Sequence, residues 1–297
     1  MERVVPLIPP AAAGPLGLAH LPRMWLKGIL NAAEMLWEDY LPNYRGFNQF
    51  LLDGIGVAPE PLFSYLETLP TYPDTEQWVR EHATNLNADS IAEFNTFVHT
   101  FERPEEAAAG TRERVGLENS TLRISSELIN LDDWCTMHDY LVRHRNAAHE
   151  QMYPTVSSGV AGPIGIAHIP RFWIKALLAG VGALPPVRSG RFGFDRIVAN
   201  IIGMDHDAAV AFIRTELPSY VQFEAWLQDN LPASDDAARA AWNETIRAYQ
   251  KPAELAAEDR SEAGVPELSF REFVLLNDMV DWKHQRDRVI ARHVVRS

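Results

Sequence analysis

The sequence predicts a mainly α protein built of two homologous helical modules in tandem, related by an approximate two-fold axis. Three observations predict it. The segment AGPLGLAHLPRMWLK (Ala13 to Lys27) returns as AGPIGIAHIPRFWIK (Ala161 to Lys175), with ten of fifteen positions identical and the other five exchanging one apolar residue for another. The same offset of 148 then pairs Leu69, Pro70, Tyr72 and Trp78 with Leu217, Pro218, Tyr220 and Trp226, Asn95 with Asn243, Pro104 with Pro252, and Asp133-Trp134 with Asp281-Trp282. Between these landmarks apolar residues recur at helical rather than strand spacing. The module boundary this predicts is 1–148 followed by 149–297.

Each element has its own reason. Pro22 and Pro170 read as first-turn helix prolines, since proline has no N–H to lose there, and open helices running to about Leu36 and Leu184. Gly46-Phe47 and Gly56 match Gly193-Phe194 and Gly203 at an offset of 147, so one residue is lost and regained in the loops. Further helices are predicted near 47–54, 59–68, 74–82, 89–101 and 131–145, with counterparts in the second copy. The stretches PEEAAAG (from Pro104) and PAELAAEDRSEAG (from Pro252) read as solvated connectors or weak helices. Turns and short extended pieces fill the rest. The repeated tryptophans Trp25, Trp78 and Trp134, with Trp173, Trp226 and Trp282, read as core.

With these residues laid out, each half resembles a bacterial family known as domain of unknown function 5069. The resemblance rests on Leu21-Pro22-Arg23 with Lys27, and Ile169-Pro170-Arg171 with Lys175. It continues through Gly56 and Gly203, Trp78 and Trp226, Phe94-Asn95 with Pro104, Trp242-Asn243 with Pro252, and an aspartate-rich tail. It implies a shared fold and module boundaries, and no activity. The chain departs from the family in its duplication and in the GP(L/I)G(L/I)AH lead-in.

Composition excludes several classes. Modules of about 150 residues bury roughly 70% of their unfolded surface, and 46% of these residues are apolar, so neither half needs a metal or disulfide to fold. A net charge of -13 without a compensating basic run argues against nucleic acid as a partner. No run of apolar residues is long enough to span a membrane. The apolar stretch Val4 to Ala19 does not read as a signal peptide, because Glu2 precedes it, Pro6, Pro9, Pro10 and Pro15 interrupt it, and a near copy recurs in mid-chain. The single cysteine, Cys135, fits a reducing compartment, and a cytoplasmic location is expected. No phosphate-loop, dinucleotide or nucleophile-elbow pattern is present, and no organic cofactor is expected.

The candidate chemistry lies in the repeated His-x-x-Arg-x-x-x-Lys: His20, Arg23 and Lys27, then His168, Arg171 and Lys175. Arg and Lys four residues apart share one helix face, with the histidine just before the first turn. Such a cluster beside the positive end of a helix suits a carboxylate or phosphate, with histidine able to exchange a proton near neutral pH. The alternative is that the cations pair internally, with Asp133 or Asp281, and that the histidine caps a buried turn. Asn31 and Glu34 follow Lys27 along its stripe, against Ala179 and Gly182, which favours the first copy if only one is active. Asn95 and Asn243 suit a buried hydrogen bond or a substrate contact. Gly14, Gly17, Gly162 and Gly165 mark a tight turn or a close approach. His138, Asp139, His144, His149 and Glu150 carry donors a metal accepts, but their spacing scatters the rings, and no metal site is expected. Asp205, His206 and Asp207 read as a helix start.

These readings give two expectations. One is a metabolic enzyme acting on a small anionic or polar substrate, with His20 and Asp133 moving the proton and Arg23, Lys27, Asn95, His168, Arg171 and Lys175 binding. The other is a non-catalytic ligand-binding or protein-interaction module in which the cluster is structural. Oligomeric state is open on either.

Overall fold

Proline starts, small polar caps and left-handed glycine ends cut the chain into helices throughout its length. The computed structural model describes residues 3–40, 44–186, 193–231 and 236–296. Among them are fourteen helices: α1 (Leu21–Ala32), α2 (Phe47–Ile55), α3 (Pro59–Leu66), α4 (Tyr72–His82), α5 (Ala88–Thr100), α6 (Glu105–Val115), α7 (Ser125–Arg143), α8 (Ile169–Gly180), α9 (Gly193–Ile202), α10 (His206–Glu216), α11 (Tyr220–Asn230), α12 (Asp236–Ala248), α13 (Ala253–Ala263) and α14 (Phe273–Arg296). The protein is thus mainly helical. The extended pieces among the described residues are isolated bridges, two of which, Ala13 to Ala19 and Ala161 to Ala167, close the two lead-in loops. No helix among the described residues is long and apolar enough to cross a membrane.

Local chemistry accounts for the boundaries. Thr71 caps α4 by accepting from the Asp74 N–H, Asn87 and Ser90 form a capping box on α5, and Ser219 with Gln222 forms one on α11. Asp205 caps α10 by accepting from the Asp207 and Ala208 N–H groups, so this cluster is a helix start. The alanine-rich stretches are full helices, α6 and α13. In α6, Glu105 and Glu106 stand at the positive end and Arg112 and Arg114 at the negative end, and Gly116 closes it in the left-handed region. Ala108 and Ala256 are fully buried, a face that composition alone conceals.

Two boundaries differ from expectation in the first half, and so do their counterparts in the second, where α8 ends at Gly180 rather than near Leu184 and α14 starts at Phe273. α1 ends at Ala32 rather than near Leu36, because Glu34 turns into the left-handed region and the chain doubles back. Val4 then donates to Met35 O at 2.7 Å and Trp37 to Val4 O at 3.1 Å, bonds a continuing helix would forfeit. α7 starts at Ser125, six residues before the predicted start, and its buried face includes Ser125, Ser126, Leu128 and Asn130.

The core forms two apolar clusters, and each draws on both ends of the sequence. One joins residues from Val4 to Val98 with Met279, Val280, Trp282 and Val289 of α14. The other joins Leu131, Trp134, Met137 and Leu141 of α7 with residues from Met152 to Phe273. The Trp134 ring meets Tyr220 edge-on at 4.6 Å, and Trp282 meets Tyr72 at 4.9 Å. One turn further on, His138 Nε2 lies 2.9 Å from Leu217 O, and Arg286 Nε donates to Leu69 O, also at 2.9 Å. Leu69 and Leu217 are both left-handed, which turns these carbonyls toward their partners.

The lead-in loop is held from two sides. Leu16 N–H donates to the Glu76 carboxylate at 3.0 Å, and Tyr72 Oη donates to the same carboxylate at 2.6 Å. A Cβ on Gly14 would run into both side chains, so the close approach inferred from sequence is to α4. Gly14→Ala is expected to destabilise the protein by about 1–3 kcal/mol through overpacking. Gly110→Ala, in open space inside α6, is expected to stabilise it by about 0.5–1 kcal/mol. Denaturant unfolding of the two variants checks the contrast.

Candidate functional site

The signature helices begin with a strained residue. His20 and His168 lie immediately before α1 and α8 with φ of 67° and 75°, in the left-handed region that few non-glycine residues adopt. The strain aims each imidazole inward, where both are buried. His20 Nε2 is 2.9 Å from Asn48 Oδ1, and His168 Nε2 is 2.8 Å from Asp195 Oδ1. In both rings Nδ1 is buried without a hydrogen-bond partner among the described residues. Burial, reinforced by the charges of Arg23 and Lys27, holds the His20 pKa down to about 3. The ring is therefore neutral at physiological pH.

Arg23 and Arg171 are enclosed by their own halves. Arg23 donates to Pro6 O at 2.6 Å, to Ile8 O at 2.9 Å and to both Asp133 oxygens at 2.6 and 3.1 Å. Tyr40 Oη adds a 2.6 Å bond to Asp133. Arg171 repeats the pattern with Pro154 O, Val156 O and Asp281. Burial works against the Arg23 charge and Asp133 more than compensates, so the guanidinium stays firmly protonated. Asn95 spends its amide on the lead-in loop, accepting from Ala19 N at 2.9 Å and donating to Gly17 O at 2.7 Å, and Asn243 does the same for Ala167 and Gly165.

The lysines separate the two halves. Asp195 takes an ion pair from Lys175 while holding His168, which makes a buried His-Asp-Lys chain. Burial opposes the Asp195 charge, but His168 and Lys175 outweigh it and hold the carboxyl well below the usual range. The first half has Asn48 at the equivalent position. A cavity of about 190 Å³ opens beside the Lys175–Asp195 pair, lined also by Phe172 and Ala176 of α8 and by Val210 and Arg214 of α10. In the register that matches buried Leu62 and Leu66 with Ala209 and Ile213, the larger Phe63 replaces Val210 and Glu67 replaces Arg214.

Sequence reading missed Asp195, Asn48, Tyr40 and the Tyr72–Glu76 and Tyr220–Glu224 clamps. The residue after the repeated Gly-Phe was a usable signal, since it is Asn in one copy and Asp in the other. Among the described residues no three His, Cys, Asp or Glu side chains converge as metal ligands. His138 contacts the Leu217 carbonyl and His144 Nδ1 that of Tyr140, 2.9 Å away. Comparison with protein-family models, curated proteins and solved structures finds no match to this chain.

Arg23→Ala leaves Asp133 buried without its cation, and is expected to cost about 3–5 kcal/mol in urea unfolding. Two carboxyls generate a pH dependence. Burial pushes Glu224 from 4.5 to about 7 and Asp278 from 3.8 to about 7. The folded state thus keeps protons that the unfolded state releases. The stability this confers is full below the unfolded values and is lost as pH rises through about 7. A series of melts across that window is expected to show the decline, and Glu224→Gln with Asp278→Asn to flatten it.

Proposed function

We propose that the protein binds a small anionic or polar molecule in its second half and acts on it by proton transfer, without an organic cofactor. The observation that carries this reading is the cavity beside Lys175 and Asp195, where the signature cluster meets open space. Arg214, exposed on that wall, has no hydrogen bond or ion pair among the described residues. With Lys175 it leaves a positive surplus over Asp195, which suits a carboxylate. Phe172, Ala176 and Val210 offer an apolar wall to a short hydrocarbon body. The volume of about 190 Å³ corresponds to about six waters at about 30 Å³ each, so the molecule is small. Lys175 donates its proton to the substrate oxygen on which negative charge develops as solvent water takes a carbon-bound proton of the substrate, and Asp195, anchored by His168, keeps the ammonium aimed.

Thermal melts with short-chain mono- and dicarboxylates test it. A rise in melting temperature that disappears in Lys175→Met and in Arg214→Ala is expected. No shift across the panel, or one that survives both substitutions, overturns the proposal. Exchange of substrate carbon-bound hydrogen with deuterated solvent, lost in Lys175→Met, then tests the proton transfer.

A second reading, a non-catalytic ligand-binding or interaction module with the signature as structural glue, is favoured by the internal pairing of both signature arginines. On that reading ligand binding is retained without hydrogen exchange.

We further infer that residues 1–148 and 149–297 are tandem copies of the domain of unknown function 5069 module, related by an approximate two-fold axis, in a cytoplasmic protein. The support is the recurrence of Arg23–Asp133 as Arg171–Asp281, and of Trp134–Tyr220 as Trp282–Tyr72.

A further inference from the structure

The sequence contains four lysines, Lys27, Lys175, Lys251 and Lys283. Three are neutralised by aspartates: Lys175 by Asp195, Lys251 by Asp259 and Lys283 by Asp287. Lys27 differs, with no hydrogen bond or ion pair among the described residues and only partial burial. The cause is a single exchange. Where Asp195 holds Lys175, the first half has Asn48, whose Oδ1 is 2.9 Å from His20 Nε2. The other nearby carboxylate, Asp133, is already engaged by Arg23 and Tyr40.

We propose that Lys27 is a nucleophilic amine that takes up a small carbonyl compound, an aldehyde or ketone, as a covalent imine, because among the described residues it alone of the four lysines lacks a counter-ion while remaining partly accessible. Burial, with the Arg23 charge one turn away, lowers its pKa to about 8, so a substantial fraction is free amine near neutrality. The nitrogen lone pair attacks the carbonyl carbon and one amine proton passes to the carbonyl oxygen, giving a carbinolamine. The hydroxyl leaves as water with the second amine proton as the C=N bond forms. No oxidant or reductant takes part. The inference concerns the first half alone and does not use the second-half cavity.

The test treats the full chain with limiting acetaldehyde, traps the imine with cyanoborohydride and maps the four lysines by peptide mass spectrometry. Lys27 is expected to label at least about tenfold faster than the other three, whose ammonium groups are held in ion pairs with aspartates. Its rate is expected to follow one ionisation near pH 8. Asn48→Asp restores the missing carboxylate and is expected to slow Lys27 about tenfold, while Asp195→Asn is expected to make Lys175 reactive. Equal labelling of all four lysines overturns the proposal, as does a Lys27 rate indifferent to Asn48→Asp in a variant with an unchanged melt. If Asn48→Asp does not fold, the wild-type pH profile and the folded Asp195→Asn variant decide. Lys175 remaining unlabelled in that variant overturns the mechanism.

Discussion

The buried arginine–aspartate pair is the contact on which the other arrangements depend. Arg23 gathers the Pro6 and Ile8 carbonyls and the Asp133 carboxylate around one guanidinium, so two separate stretches of chain are tied to the first turn of α1. Arg171 does the same for Pro154, Val156 and Asp281. A carboxylate and a guanidinium taken out of water are tolerable only when paired and supplied with further hydrogen bonds. Here they are. The pairing also orients α7 and α14, because Trp134 and Trp282 follow the two aspartates directly and insert into the opposite apolar cluster.

From that frame the fate of the remaining signature side chains follows. The left-handed histidines end up buried and aimed at the residue after the repeated Gly-Phe. One atom there decides the local electrostatics. The Asp195 carboxylate binds His168 through one oxygen and Lys175 through the other, whereas Asn48 engages the His20 ring and leaves Lys27 to its solvent side. Two clusters that read alike along the chain therefore differ in charge state, and one opens on a cavity while Phe63 and Glu67 alter the matching wall of the other.

Much of this was legible in the residues. Proline starts, the Asn87 and Ser219 capping boxes and left-handed Gly56 and Gly116 mark helices by local chemistry, and helix type and approximate position follow from them. The internal pairing of Arg23 with Asp133 was one of two readings open from sequence, and so was the bond-forming role of Asn95. The alanine-rich α6 and α13 are less legible, because their buried positions, Ala108, Arg112 and Val115 in one and Ala256 and Ala263 in the other, carry little hydrophobic signal. The end of α1 is not legible from its neighbours, since a long-range bond to Val4, not a local breaker, draws the chain away.

The sequence by itself determined the helical class, the recurrence at an offset of 148 and the residue types of the signature cluster, all of which depend on neighbours within a few turns or on simple self-comparison. Only the tertiary structure decided which of those residues are spent on the chain's own carbonyls and carboxylates and which remain available. That choice depends on contacts 15 to 110 residues apart, and on an Asn-for-Asp exchange whose effect exists only once a lysine from another helix is brought beside it.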